Sequence, residues 1–597
     1  MAGFASTSQS DFSKGAHPGH ERVPNDGVEN CINGLYDDDG TIFKRGGCTY
    51  LTTSDTSSTY GDLRSLWAGQ LAHGESVVAL SSNETAVAGS YAWAIWKLDD
   101  STGVTLNREY DSTSALTGSP RWGRPVGALG LVFFPGRAHT HLDVYGGSEL
   151  ATVTYSSPDT VTTTINSTAV TGSGTSFLTE VDAGSILFAN SGYGIVKSVE
   201  SDTALTLTSE WYQPTTTGDA TFAPWVKGAV PNQADVAVTK DTPAPVVGSA
   251  YDRLLIGHKN RLYFSSQTNP LQFATSEDYH ELPNGVVITG IQQLYDTALL
   301  FTTDGVWALS GLAQDLTDDY GNAQHRLEKV NGDIVLWRDT GLGSSSDGIV
   351  VPAIDDVYSM TAGGAVSIGG GIRKLYREYV KADYIPGQAA VHRGHYFLPI
   401  LDPSNDDEWV DLLVCNLASK GWTRWEGYAA KVRALTQRVR AGVPSLLATS
   451  GAGTLIPPDP PDPGETPDYR LINLTGCFEP GADNKQDADS SNFTLQVTFR
   501  TLGSSTLKAM WARFRVLYTL TDAASDNPTM TAEYSTGLPG SSFTALTGTA
   551  TESADGMAYW PIRKRTKTIR IRLTSSGASS RCVIRGAETL YRQTGRK

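Results

Sequence analysis

The sequence predicts an all-β chain: a β-propeller of six to eight blades, with an inserted small β-domain and a C-terminal β-sandwich. Three observations predict it. Apolar hairpins recur at nearly constant spacing between Leu254 and Leu446. Gly 61 and Pro 28 make up over 14% of the 597 residues, which favours short strands and many turns. Proline-rich and Val/Thr-rich stretches then interrupt the repeat at two places.

The hairpins carry the argument. TALLFTTDGVWALSG (297–311) reads as apolar strand, Asp-Gly turn and alternating strand. RLLIGHKNRLYFSS (253–266) repeats the design with Lys259-Asn260 at its turn, and GIVVPAIDDVYSM (348–360) with Asp355-Asp356. HYFLPILDPSNDDEWVDLLVCNL (395–417) has a longer acidic loop, and PSLLATSGAGTLI (444–456) turns at Gly451. The apolar strands at Leu254, Leu299, Ile349, Tyr396 and Leu446 follow one another at steps of 45, 50, 47 and 50 residues. A period of about 40–50 with hairpins in each unit marks propeller blades, which bury their faces only by stacking. Strand starts at Val77 and Leu131, 54 residues apart, bring the starts to seven.

Five boundaries follow. Residues 1–50 form an N-terminal segment joining the propeller and neighbouring subunits, and 51–151 the first blades. Residues 152–225, where Val, Thr and Ile alternate between glycine turns, form the inserted β-domain, an attractive contact for a neighbouring subunit. The remaining blades occupy 226–456. Residues 457–468 are a proline-rich spacer, since proline lacks the N–H a ladder needs. Residues 469–597 alternate as a β-sandwich of about eight strands with a basic tail.

Charge and cysteines bound the setting. The net charge is −16, which argues against a sequence-specific DNA binder. No run of 18 apolar residues is present, and the opening MAGFASTSQSDFSKG lacks the basic and apolar regions of a secretory signal. Five scattered cysteines, none in a CxxC pair, fit assembly in a reducing cytoplasm. From residue 561 onward eleven bases face one acid, a net +10 that leaves −26 for the remainder. Arg563, Lys564, Arg565, Lys567, Arg570 and Arg572 are therefore expected to form a basic face that meets an acidic surface of a partner subunit, or else a solvated strand face.

Catalytic motifs are sparse. There is no GxSxG elbow, Walker loop or HExxH. GGGIR (369–373) is read as a tight blade turn rather than a phosphate loop. His139 with His141, and His17 with His20, lack a recognisable third metal ligand. Asp37-Asp38-Asp39-Gly40 fails the EF-hand spacing. Neither a metal nor a cofactor is expected, and the chain is not expected to be an enzyme. The carboxylates Asp315, Asp318, Asp319, Asp406 and Asp407 are candidate site residues in acidic loops, either solvated turns or pairs suited to glycan cleavage; the resemblance described next would make them channel or gate residues. The pairs Trp93/Trp96 and Trp422/Trp425 could stack on sugars, but packing within or between blades is the favoured reading.

Two stretches resemble a known family. HERVPNDGVENCINGLYDDDGTIFKRGGCTYL (20–51) is similar to the start of podovirus tail nozzle proteins, also called tail tubular protein B or tail hub proteins, through Asn33, Asp39-Gly40 and Lys44-Arg45-Gly46-Gly47. Residues 260–311 resemble them through Ser265, Pro270, Phe273, Ile288, Thr289, Leu299, Phe301, Gly305 and Gly311. VTGSGTSF (170–177) is similar to small β-domains of phage tail proteins. The resemblance implies a virion protein of a phage tail: a ring, most simply a hexamer, around a propeller that extends the tail channel. Its implied partners are copies of itself, the tail adaptor, fibres or spikes, and double-stranded DNA passing without sequence-specific binding. An acidic or neutral lumen would not grip that DNA. The alternative function is a host-surface propeller that binds or cleaves glycans.

Overall fold

A computed structural model describes residues 5–9, 16, 28–37, 41–45, 49–51, 62–72, 74–83, 92–99, 105–112, 121–122, 131–134, 142–148, 150–230, 246–250, 253–265, 271, 279–311, 325–405, 408–425, 432–450, 471–478, 495–502, 509–521, 529–536, 541–551, 555–566, 568–575 and 581–593. The fold is all-β and propeller-like. Its contacts divide into two compact units, 54–340 with 438–442, and 1–53 with 341–437 and 443–597.

Among the described residues, seven antiparallel meanders succeed one another along the chain. The first four are 62–112, 121–145 with 225–230, 246–281 and 288–331. The fifth spans 343–367; the sixth, 385–425, is part of a ten-stranded sheet. The seventh joins Val432–Arg440, Val443–Ser450 and Leu471–Asn473 to Thr49–Tyr50 from the N-terminal segment. Each of the seven predicted strand starts falls in a different meander. Six lie on the second strand, and Tyr396 lies on the central strand His395–Asp402 of the sixth. The regular spacing therefore reflects one equivalent strand per sheet, the apolar one flanked on both sides.

Turn chemistry fixes these meanders. Lys259 takes φ 54° at the two-residue turn between Arg253–His258 and Arg261–Phe264. In the next sheet Thr302 pairs with Gly305, so the turn residues are Thr303-Asp304, one position earlier than the Asp-Gly reading. Gly305, at φ 122°, follows them; a Cβ there would sit 2.2 Å from the Asn331 carbonyl oxygen. The third and fourth sheets share a core of Val246, Leu255, Leu262, Ile288, Ile291, Leu300 and Leu309. Gly248 lets them approach, because its Cβ would lie 2.6 Å from Ile291 Cγ2.

The inserted segment sits between the third and fourth strands of the second meander, Leu142–Tyr145 and Trp225–Val230. Its eight strands, within 153–223, form a sheet of their own. They close over Tyr155, Val161, Val170, Phe177, Leu187, Val196, Leu205, Trp211 and Phe222, with Tyr155, Phe177 and Phe222 meeting edge to face. Gly184 and Gly146 pack backbone to backbone at its base.

Three features of the other unit differ from the sequence reading. Val443–Ser450 pairs with Leu471–Asn473, so the proline-rich 457–468 falls between two strands of one sheet rather than between two domains; the turn read at Gly451 lies outside the described residues. GGGIR does turn tightly, with Ile372 N–H donating to Gly369 O at 3.0 Å, but it does not join two strands of a blade. It leads from strand Gly364–Ser367 into the helix Arg373–Lys381, whose Tyr376 and Tyr379 are buried. Finally, the N-terminal segment is woven into the C-terminal sandwich. Ala5–Gln9 and Ile42–Lys44 pair with Arg581–Gln593, and Asn30–Ile32 pairs with Gln496–Leu502. The sandwich core is correspondingly mixed: Val28, Cys31, Tyr36 and Ile42 pack with Phe499, Trp511, Phe514, Trp560, Ile569 and Ile571. No described helix is long and apolar enough to cross a membrane.

Candidate interaction surface

The six basic candidates do not share one strand. Arg563, Lys564 and Arg565 lie exposed on Asp555–Thr566, the terminal strand of a six-stranded sheet. Arg570 and Arg572 lie on Thr568–Ser575 in the ten-stranded sheet, and Lys567 between them is outside the described residues. The two groups also differ in chemistry.

Arg570 is buried. Its Nη2 lies 2.5 Å from Glu29 Oε1 and its Nε donates to Glu29 Oε2 at 2.7 Å, a two-pronged pair with a carboxylate that is itself buried. Arg572 Nε donates to Glu533 Oε2 at 2.7 Å in a half-exposed pair. Both guanidiniums lie over Phe543, at 4.9 and 4.4 Å from the ring centre. Alternation along the strand explains this, because Ile569, Ile571 and Leu573 take the core face and leave the arginines on the other. These two charges are therefore engaged inside the chain.

The other group is presented outward. Residues Ile562 and Arg563 oppose a single residue of Ala509–Thr521, a β-bulge in which Arg563 takes φ 53°. Lys564 Nζ sits 5.2 Å above the Tyr534 ring. Pro561, a bulge and three cations on a terminal strand are also the devices that discourage uncontrolled edge pairing. Next to them, Leu517 opposes Met557 and Arg515 opposes Tyr559 on the same face; Leu517, Met557 and Tyr559 are each over 40% exposed. Arg565, which opposes the exposed Met510, belongs with these side chains to the candidate contact surface, whereas Lys564 opposes the buried Trp511 and lies on the other side of the strand.

The carboxylates Asp315, Asp318, Asp319, Asp406 and Asp407 lie outside the described residues, as do His17, His20, His139 and His141. Trp422 and Trp425 are fully buried: their Nε1 groups donate to Ile368 O at 2.7 Å and Gly34 O at 3.1 Å. Trp96 is buried and donates to Ser81 Oγ. None of these three rings is open to a sugar. Among the described residues, no group of three or more His, Cys, Asp or Glu side chains is placed to hold a metal ion.

The family-like residues occupy structural positions. Asn33, in the left-handed region at φ 57°, accepts the Arg45 Nε–H on Oδ1 at 3.2 Å and the Arg45 N–H on its carbonyl. Arg45 is fully buried with its guanidinium 5.0 Å over Trp425, and Asn33 N–H donates to Arg424 O. Asn33 and Arg45 thus lock the N-terminal segment to the sixth sheet. Ser265 Oγ accepts the Leu254 N–H, and Ile288, Leu299 and Phe301 are core residues. Among the described residues Cys31, Cys415, Cys477 and Cys582 are buried and form no disulfide; burial pushes Cys31 up to about 12 and Cys582 to about 11, which disfavours their thiolates.

Two histidine sites had no signal in the sequence. His280 Nε2 lies 3.1 Å from His325 Nδ1, with both rings against Phe264. Burial and the neighbouring His325 push His280 down to about 4. His392 is buried where the hairpin turns through Arg393 and Gly394, and burial with the nearby Arg393 pushes it down to about 4. Neither was recognisable because the pairing partners are remote or belong to a turn.

No family model matches the chain, and no curated protein matches it. Solved structures similar to it include a phage phi92 endosialidase, with 13% identity over 72% of this chain and 68% of that one, at a TM-score of 0.29. Sqt1 from Chaetomium thermophilum covers 67% of this chain with 97% of its own, at 9% identity and a TM-score of 0.33. The RRP9 WD40 repeats cover 72% of this chain with 99% of their own, at 8% identity and a TM-score of 0.31. At these scores no shared function is implied.

Proposed function

We propose that this chain is a structural virion protein of a bacteriophage tail, a nozzle or hub subunit that forms a ring, most simply a hexamer. The ring extends the tail channel, retains the packaged genome and conducts DNA during ejection. The observation that carries the reading is the resemblance at 20–51, together with what Asn33 and Arg45 do: they bind each other and anchor the N-terminal segment. A signature built on such a lock belongs to a scaffold. No catalytic role is proposed.

The charge distribution supports ring contacts. Arg563, Lys564 and Arg565 face outward at one end of a chain whose remainder is strongly acidic, which suits a heterologous contact between successive copies. Arg570 and Arg572 contribute to the fold rather than to that contact. The adaptor and the fibres or spikes are the further protein partners, assembly takes place in the host cytoplasm, and the mature site is the virion tail. Asp315, Asp318, Asp319, Asp406 and Asp407 are the proposed gate positions.

Electron microscopy of the purified chain and mass spectrometry of purified particles test this. Rings in the micrographs and the chain in the particles are expected. A strictly monomeric protein that is absent from particles overturns the reading. Paired cysteines across the Asp318 and Asp406 loops test the gate: an oxidised cross-link should block ejection, and unimpeded ejection removes that loop.

A further inference from the structure

The inserted module carries a side-chain row that its own fold does not need. Strands Val153–Tyr155, Ala220–Ala223, Ile186–Ala189 and Gly192–Ser201 are neighbours in that order. Thr154 opposes Thr221, Thr221 opposes Phe188, and Phe188 opposes Tyr193. The four side chains therefore stand in one line across the sheet. The adjacent residues Tyr155, Phe222 and Leu187 point into the core, so the line lies on the opposite face.

Its composition is graded. At one end the Phe188 and Tyr193 rings are 5.0 Å apart and tilted by 34°, and Phe188 is 40% exposed. At the other end the exposed hydroxyls of Thr154 and Thr221 are 3.1 Å apart. Tyr212 adjoins the aromatic end, its hydroxyl accepting the Tyr193 N–H at 3.2 Å. An aromatic side chain left partly in solvent, as Phe188 is, forgoes part of the stabilisation that full burial would contribute. The buried Trp422 and Trp425 show where this chain puts aromatics that serve packing alone.

We propose that this row is a binding site for a neutral polysaccharide. A pyranose ring has one apolar C–H face and a rim of hydroxyls. The Phe188 and Tyr193 rings match the face, while the Thr154, Thr221 and tyrosine hydroxyls match the rim. Strands are about 4.8 Å apart, close to one sugar unit per strand, so the row takes a short stretch of chain laid across the sheet. The four residues carry no charge. A second copy of this chain, at −16, is matched instead by the cations of Asp555–Thr566, which is why a glycan and not another subunit is assigned to the row. The site is independent of the tail-channel reading.

The test is native electrophoresis of the full chain in gels cast with dextran, galactomannan, soluble starch, hydroxyethylcellulose or laminarin. Retardation in at least one gel is expected. Phe188→Leu, which keeps bulk but removes the ring, and Tyr193→Ala should each weaken it about tenfold, while Thr221→Val weakens it about threefold. Unchanged thermal unfolding of Phe188→Leu certifies the fold. Unretarded migration in all five gels overturns the proposal, as does equal retardation of wild type and Phe188→Leu. Loss of ring particles in Phe188→Leu with sugar retardation intact would overturn it too, giving the face to a neighbouring subunit. Rings in micrographs and retardation in gels fail separately, so the two readings are distinguishable.

Discussion

The insert and the sandwich unit solve the same problem in opposite ways. The insert buries Phe177, Leu187, Val196 and Trp211 using strands drawn from one stretch of about seventy residues. The sandwich buries Trp511, Phe514 and Ile571 only by recruiting strands from the other end of the chain, and its Glu29–Arg570 pair spans 541 residues. Local pairing makes a module that can be carried in a loop, whereas remote pairing makes a body that exists only when both ends are in place.

The largest expected effect breaks the remote side of that comparison. Glu29→Ala leaves the buried Arg570 guanidinium without its carboxylate and should cost about 3–5 kcal/mol. Chemical denaturation should show the sandwich unit destabilised while the insert's transition stays put; parallel loss in both would erase the distinction. On the local side, Phe177→Ala removes a ring that meets Tyr155 and Phe222 edge to face and should cost the insert about 3–5 kcal/mol, with the sandwich transition unmoved.

Acid should separate the regions as well. His280 and His392 have pKa values pushed down to about 4 from an ordinary 6.5. Between these values the unfolded chain binds protons that the folded chain refuses, so stability is present above pH 6.5 and is lost as pH falls toward 4. The insert contains no histidine between 153 and 223 and should not share that loss. Melting temperatures followed from pH 7 to 4 check this, and His392→Phe should flatten part of the slope. The smallest effect belongs to Arg572→Ala, whose half-exposed pair with Glu533 is worth about 0–1 kcal/mol. A larger loss would mean that stacking on Phe543 dominates.

What the sequence made legible follows the same division. The seven strand starts, the Lys259-Asn260 turn and the insert rest on local period and turn chemistry, which a single chain displays directly. The pairing of Asn30–Ile32 with Gln496–Leu502 leaves no local trace, so the N-terminal segment read as a connector. The basic face read as one surface because Arg563 and Arg572 are close in sequence. The break after Thr566 sends the next strand to the other sheet, and nothing in the alternation around it marks that switch. The helix Arg373–Lys381 is masked in the sequence by the glycines before it, which signal a turn, although Tyr376 and Tyr379 show its three-residue spacing.

The Glu29–Arg570 pair has a consequence for biosynthesis. A ribosome releases the base 541 residues after the acid, and until then the carboxylate has no counterion and the sandwich no seam. A polypeptide terminated before Arg570 would leave that seam unfinished. Closure of the sandwich unit would thus report that translation has passed Arg570, a quality check written into chain connectivity.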